Sequence, residues 1–277
     1  MSAAHSEGQP VAPAPVTSDA VEIRRGEEGP TLGFPWTRIR GEREQLQRDT
    51  EWLDHAHAAH ELLWCLDGAL TLATGQRLWT IAGSYGLWIP AGTRHSGTLP
   101  AGAVYRAAFF STEHVPALAA EPTTVKITPL LGQLLDYIDQ EGIGPSQRER
   151  AEAVVMDLLQ PVPQEIILHI PHHELIAEAA AEILADPAAA HSVDHWTKRL
   201  NVSSRTITRT FRAETGVGFA RWVATARARC AIALLAQGTS VAETAEQVGY
   251  ATTSAFGVAF RRVTGLTPGS FRRERND

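Results

Sequence analysis

Four side chains in the first hundred residues have the types and spacing to hold a cation. His55 and His57 stand two apart, so a strand carries both imidazoles on one face. Glu61 has the same parity, and an unbroken strand brings its carboxylate to that face; His60 has the opposite parity and points away. His95 arrives from a neighbouring strand as a third imidazole. Three imidazoles and a carboxylate with open positions suit one divalent transition metal, Fe, Mn, Ni, Cu or Zn. The same His-rich stretch also suits the wall of an organic-ligand pocket. The chain contains no Gly-rich phosphate loop, Gly-x-Ser-x-Gly elbow or His-Glu-x-x-His helix, so no residue is assigned a catalytic role.

A second chemistry is written twice between Ser192 and Phe271. Each copy has a Ser-opened helix, a corner and a second amphipathic helix that closes on Gly. Trp196 and Leu200 form the first-helix core of one copy, and Thr244, Ala245 and Val248 that of the other. Asn201 and Gly249 stand at the corners, where a left-handed backbone is needed. Ile207 and Phe211 match Phe256 and Phe260, the i, i+4 pairs that pin each second helix. Such tandem units are helix-turn-helix candidates, whose second helix enters the DNA major groove. Between them, Phe219, Trp222, Val223, Ala226, Cys230, Ala233 and Leu234 predict one helical face ending at Gly238. A rigid helix there spaces two readers that must sit about 34 Å apart to enter successive grooves.

The elements upstream are read from punctuation. From Val21 to about Phe110, short apolar runs broken by Gly predict an antiparallel barrel or sandwich. Thr128 as cap and Pro129 at the first turn open a helix carrying Leu130, Leu131, Leu134, Leu135 and Ile138; a second helix runs from Ser146 toward Pro161. A Pro-bounded connector spans 161–171, and another helix runs from His172 to Leu184. The Ala/Pro/Ser-rich residues 1–18 predict a disordered leader.

The C-terminal strings Asn201–Arg212 and Gly249–Arg273, with Gly-x-Thr-Pro-x-x-Phe-Arg from Gly265 to Arg272, resemble the DNA-binding domain of the AraC/XylS family of bacterial transcription regulators. His55–Glu61 followed by Gly68, and Gly86–His95, resemble the two cupin motifs. Three positions depart from the cupin pattern: Asp49 and Leu99 replace an expected Gly and Asn, and Gly83 falls one residue early. The resemblances imply an α+β chain: an N-terminal cupin-like β barrel with a helical pair, then a C-terminal all-α domain of two helix-turn-helix units joined by a linker helix. The expected boundaries are 1–18 leader, 19–118 barrel, 119–170 helical pair and connector, and 171–277 DNA-binding domain.

By the same resemblance, Ser204, Arg205, Thr208 and Arg209 face the bases, and Arg212 a phosphate. Thr253, Ser254, Gly257 and Val258 hold the matching positions in the second copy, with Arg261 toward the backbone. Arginine is the side chain best shaped for guanine O6 and N7, and Val258 stands where the first copy has Arg209. The second reader is therefore expected to recognise mostly shape and phosphate. The implied function is a DNA-binding activator or repressor whose barrel senses a metal ion or small molecule, acting as a homodimer on double-stranded DNA and through RNA polymerase. A cupin-type oxygenase or isomerase with an accessory DNA-binding domain, and a constitutive DNA binder, stay open as alternatives.

Charge and composition agree with two chemistries in one chain. The net charge is −6, yet thirteen Lys/Arg face six Asp/Glu from His191 onward, leaving the acidic excess to the remainder. Two cysteines, Cys65 and Cys230, lie far apart without a Cys-x-x-Cys, which argues for buried thiols in a reducing cytoplasm. No apolar run is long enough to predict a membrane span.

Overall fold

The computed structural model describes residues 21–25, 38–163, 166–189 and 192–274; the leader expected at 1–18 lies outside them. Ten strands come first: β1 (Val21–Arg24), β2 (Ile39–Gln45), β3 (Asp49–His55), β4 (His60–Asp67), β5 (Ala69–Thr74), β6 (Arg77–Ala82), β7 (Tyr85–Ile89), β8 (His95–Leu99), β9 (Val104–Phe110) and β10 (Thr123–Lys126). They form two sheets, ordered β1-β3-β8-β5-β6 and β10-β7-β4-β9-β2. All the pairings among them are antiparallel except β1 with β3.

Strand alternation decides what fills the barrel. On β4, Leu63 and Cys65 point inward with Leu70, Leu72, Trp79, Ile81, Ala107 and Phe109. The opposite face of β4 and β9 presents Leu62, Trp64, Ala108 and Phe110 to a second core. Helices α1 (Pro129–Ile138) and α2 (Pro145–Leu158) cover that face. Thr128 caps α1 by accepting from the Leu131 amide at 3.2 Å, as its position predicts. Leu131, Leu135, Ile138 and Val155 are fully buried, whereas Leu130 remains 52% exposed. A buried arginine fastens α1: Arg106 of β9 lies over the Trp64 ring and binds Asp136 of α1 and Asp139 at its C-terminal cap.

The connector is more than a link. Ile167–His169 form β11, which adds to the first sheet beside β6 and carries Leu168 into the core of the next helices. The Pro boundaries concealed a three-residue edge strand too short to show periodicity.

Helix α3 (Glu174–Ala185) then leads into α4 (Val193–Leu200) and α5 (Ser204–Thr215), the first unit, and α7 (Val241–Gln247) and α8 (Thr253–Thr264), the second, with α9 (Pro268–Glu274) closing. Asn201 has φ 51°, the one positive φ outside glycine among the described residues, and Gly249 has φ 79°. Both corners thus take the left-handed backbone their residue types allow. The two units repeat in detail. The Thr215 hydroxyl donates to the carbonyl oxygen of Phe211 at 2.7 Å, and Thr264 to that of Phe260 at 2.9 Å. Gly216 and Gly265 then end the helices at φ 76° and 79°.

Helix α6 (Phe219–Ala236) joins the units, but its buried face is not the one its sequence predicts throughout. Phe219, Trp222, Val223 and Ala226 are buried against α3, α4 and α5, as expected. Beyond them the buried line passes to Ala228, Ala231, Ile232 and Leu235, while Cys230, Ala233 and Leu234 are only partly covered. Two further neighbours share this core: the second unit, through Ala245, Val248, Phe256 and Phe260, and the barrel, through Ala69 of β5 and Ala82 of β6. The helix that joins the two units is thus also packed on the barrel.

Candidate functional site

The strand expected to run unbroken from His55 to Glu61 is broken. β3 ends at His55, His57 lies in the connection, and Glu61 returns on β4 in the other sheet. The four predicted groups meet nonetheless, because the chain crosses between sheets at this point. Ligand nitrogens of His55, His57 and His95 all lie within 4.8 Å of one another. Glu61 Oε2 lies 3.5 Å from His57 Nε2 and 3.3 Å from His95 Nε2. Neither approach meets hydrogen-bond geometry, and this buried oxygen has no hydrogen-bond donor among the described residues. A cation supplies what such an atom lacks, and the donor set fits one.

Backbone carbonyls set the ring orientations. His55 Nδ1 is 2.6 Å from the Leu53 oxygen, and His95 Nδ1 is 2.9 Å from the Thr93 oxygen. A proton held at each Nδ1 leaves Nε2 with its lone pair for a ligand, the orienting contact that metal-binding histidines usually have. Burial is the largest influence on both rings, lowering His55, with His95 adding repulsion. At His95 burial also lowers, but the Glu61 carboxylate and the Thr93 carbonyl together outweigh it and raise the pKa. His60 is turned away, stacking on Trp88 and accepting from the Ala91 amide at 2.9 Å.

The quartet lines a cavity of about 660 Å³. Its apolar wall includes Trp52, Leu70, Leu72 and Phe109, and its polar wall Arg24, Arg40, Glu44 and Tyr105. Arg24 bonds both oxygens of Glu44, at 2.6 and 2.7 Å, while Tyr105 donates to the same carboxylate at 3.0 Å. None of these polar groups carries a sequence signal, because they reach the cavity from β1, β2 and β9, far apart along the chain. Only the alternation of β2 and β9 puts Glu44 and Tyr105 opposite each other, and that needs the register.

The second candidate surface lies on the helix-turn-helix units. Ser204, Arg205, Thr208, Arg209 and Arg212 are all exposed on α5. Glu214, the carboxylate nearest along the helix, is engaged elsewhere, accepting from the His172 and His173 amides at 3.2 Å each. On α8, Thr253, Ser254, Val258 and Arg261 are exposed and Gly257 is half-buried. Val263 and Thr264 of α8, with Leu266 beyond it, line a small cavity together with Thr80, Ile81 and Tyr85 of the barrel.

Part of the basic excess in this stretch of the chain is already partnered within the protein. Arg199 pairs with Glu178 and Glu182 of α3 at 2.8 and 2.5 Å. Arg227 of α6 donates to the carbonyl oxygens of Pro187 and Ala189 and lies over the Tyr250 ring. Arg229 donates through Nε to Thr80 Oγ1 of β6 at 2.7 Å. Trp222 Nε1 donates to the His169 oxygen of β11, also at 2.7 Å. The linker helix thus touches the barrel, the first unit and the second corner at once.

A family described as "Helix-turn-helix domain" matches residues 196–274. The HTH-type transcriptional regulator NimR of Escherichia coli K12 is 27% identical over 224 residues, covering 78% of this chain and 81% of that protein. RipA of Corynebacterium glutamicum, also an HTH-type transcriptional regulator, is 41% identical over 96 residues, covering 34% of this chain and 29% of its own length. A putative AraC-like transcription regulator of Streptomyces antibioticus is 32% identical over 100 residues, covering 36% of this chain and 33% of that protein. No helix among the described residues is long and apolar enough to cross a membrane.

Proposed function

We propose that this chain, a member of the AraC/XylS family of DNA-binding transcription regulators, reads an operator through α5 and α8 and adjusts that reading to what its barrel binds. The observation that carries the reading is the outer face of α5. Arg205 and Arg209 are exposed there, one turn apart, with no acid on their own helix left to neutralise them. Arginines so presented suit guanine edges, with Ser204, Thr208 and Arg212 to orient the helix on the backbone. Thr253, Ser254 and Arg261 orient α8 in the same way.

The effector site is the cavity. His55, His57, Glu61 and His95 would hold one divalent transition metal, which would supply Lewis-acid binding positions for a small oxygen- or nitrogen-donor effector. Arg24, Glu44 and Tyr105 form a fixed polar wall against which such a molecule is selected. Strands β5 and β6 are the partition between the effector and the reader. Leu70, Leu72, Trp79 and Ile81 face the barrel interior, while Ala69, Thr80 and Ala82 face α6. A shift of this strand pair on ligand binding moves the helix that spaces the two readers.

The active form is a homodimer formed through α1 and α2, where Leu130, Tyr137 and Val154 stay exposed at 52, 36 and 41%. The test has two arms. Elemental analysis of untagged protein purified without chelators is expected to return one divalent metal per chain. Selection from a randomised duplex library is expected to enrich one sequence whose affinity depends on that metal or on a cavity ligand. Enrichment without any effector dependence would leave a constitutive DNA binder.

A further inference from the structure

We propose that Val258 reads a thymine methyl group, so that α8 specifies its half-site by apolar contact. The inference rests on the DNA-reading function proposed above and goes beyond it, since α8 offers no long polar side chain at that position. The register is fixed by the repeat: the Thr215 and Thr264 hydroxyls, the Gly216 and Gly265 caps and the Ile207/Phe211 and Phe256/Phe260 pairs all superpose at one offset. That offset sets Val258 on Arg209 and Gly257 on Thr208.

Val258 is 71% exposed, the most exposed large apolar side chain among the described residues. A lone apolar residue on a protein surface is ordinary. Its neighbour makes this one different. Gly257 sits inside α8, where glycine weakens a helix by about 1 kcal/mol relative to alanine. Nothing in the fold asks for it: a Cβ there meets no atom within 4 Å, and its φ is not left-handed. A bare backbone beside an exposed branched apolar knob is what a helix needs to press close to a groove floor. In the major groove the apolar feature that distinguishes one base from the others is the C5-methyl of thymine.

The test is a cycle between protein and DNA methyl groups, using the full chain and the duplex enriched by selection. Each thymine in the α8 half-site is replaced in turn by deoxyuridine, which deletes only the methyl. Wild type is expected to bind one such duplex about fourfold more weakly, the effect of one buried methyl group. The Val258→Ala variant is expected to bind that duplex and its thymine parent equally. Gly257→Ala is expected to raise the melting temperature yet weaken operator binding, a split that a purely structural glycine does not give. Enrichment with no Val258-dependent thymine, or the same uridine loss in Val258→Ala, overturns the inference alone. Failure to enrich any duplex overturns it together with the DNA-reading function.

Discussion

Arg229 on the helix between the two readers donates to Thr80 on the strand pair that floors the barrel cavity, N to O, at 2.7 Å. Burial is the main influence on this guanidinium and brings its pKa down to about 10, so it stays charged at neutral pH and needs its acceptor. Thr80→Val keeps the side-chain shape and deletes that acceptor. The variant is expected to lose about 1–3 kcal/mol of stability, the cost of leaving a buried donor unmade. Its metal content should equal that of wild type, while the effector-dependent change in operator affinity shrinks. An unchanged effector response in a stably folded variant would place the route elsewhere.

Arg209→Ala is expected to cost about 1–3 kcal/mol of operator binding and to relax preference at one base position. Arg212→Ala should weaken binding to all sequences alike and reduce the salt slope by about one. Base-by-base binding profiles at two salt concentrations separate the outcomes.

Glu61→Gln removes the carboxylate charge while keeping the size of the group. Metal affinity is expected to fall about tenfold or more. Added metal should raise the melting temperature of wild type, since it binds only the folded site, and should raise that of the variant less at the same metal concentration. An equal thermal shift in both would exclude Glu61 as a ligand.

His169 provides a pH prediction outside the quartet. Burial first, and then the nearby Arg77, hold its imidazole below the usual pKa. A lowered histidine pKa means that the unfolded chain takes up a proton that the folded chain resists. The stability it contributes is therefore present above about pH 6.5 and is lost as pH falls through the lower folded value. Urea midpoints across this window should decline less steeply on acidification in His169→Gln than in wild type. Parallel slopes would show that the imidazole is not linked to folding.

The repeat, its corners and the four clustered side chains of the cavity were legible because each rests on local spacing or a special residue. Asn201 and Gly249 turn where a left-handed residue is required, and Thr128 caps where a hydroxyl precedes Pro129. Glu61 was found by the wrong route: its parity pointed inward, but on a new strand after the chain had crossed between sheets. What stayed hidden depends on tertiary contact. β11 pairs with the edge that β6 offers, and the face of α6 shifts where the second unit and the barrel alanines Ala69 and Ala82 both pack on it. The contacts of Arg106, Arg227 and Arg229 have no local sequence signal, because their partners are distant along the chain.

The central claim is that the barrel cavity and the two readers form one thermodynamic unit. Operator affinity of the same untagged protein, measured before and after metal removal and again after one equivalent of metal is restored, tests it most directly. Wild type is expected to change at least about fivefold and reversibly, the scale of a typical coupling between sites, and His95→Ala not at all. Equal affinity in all three wild-type states, with metal demonstrably lost and regained, would contradict it.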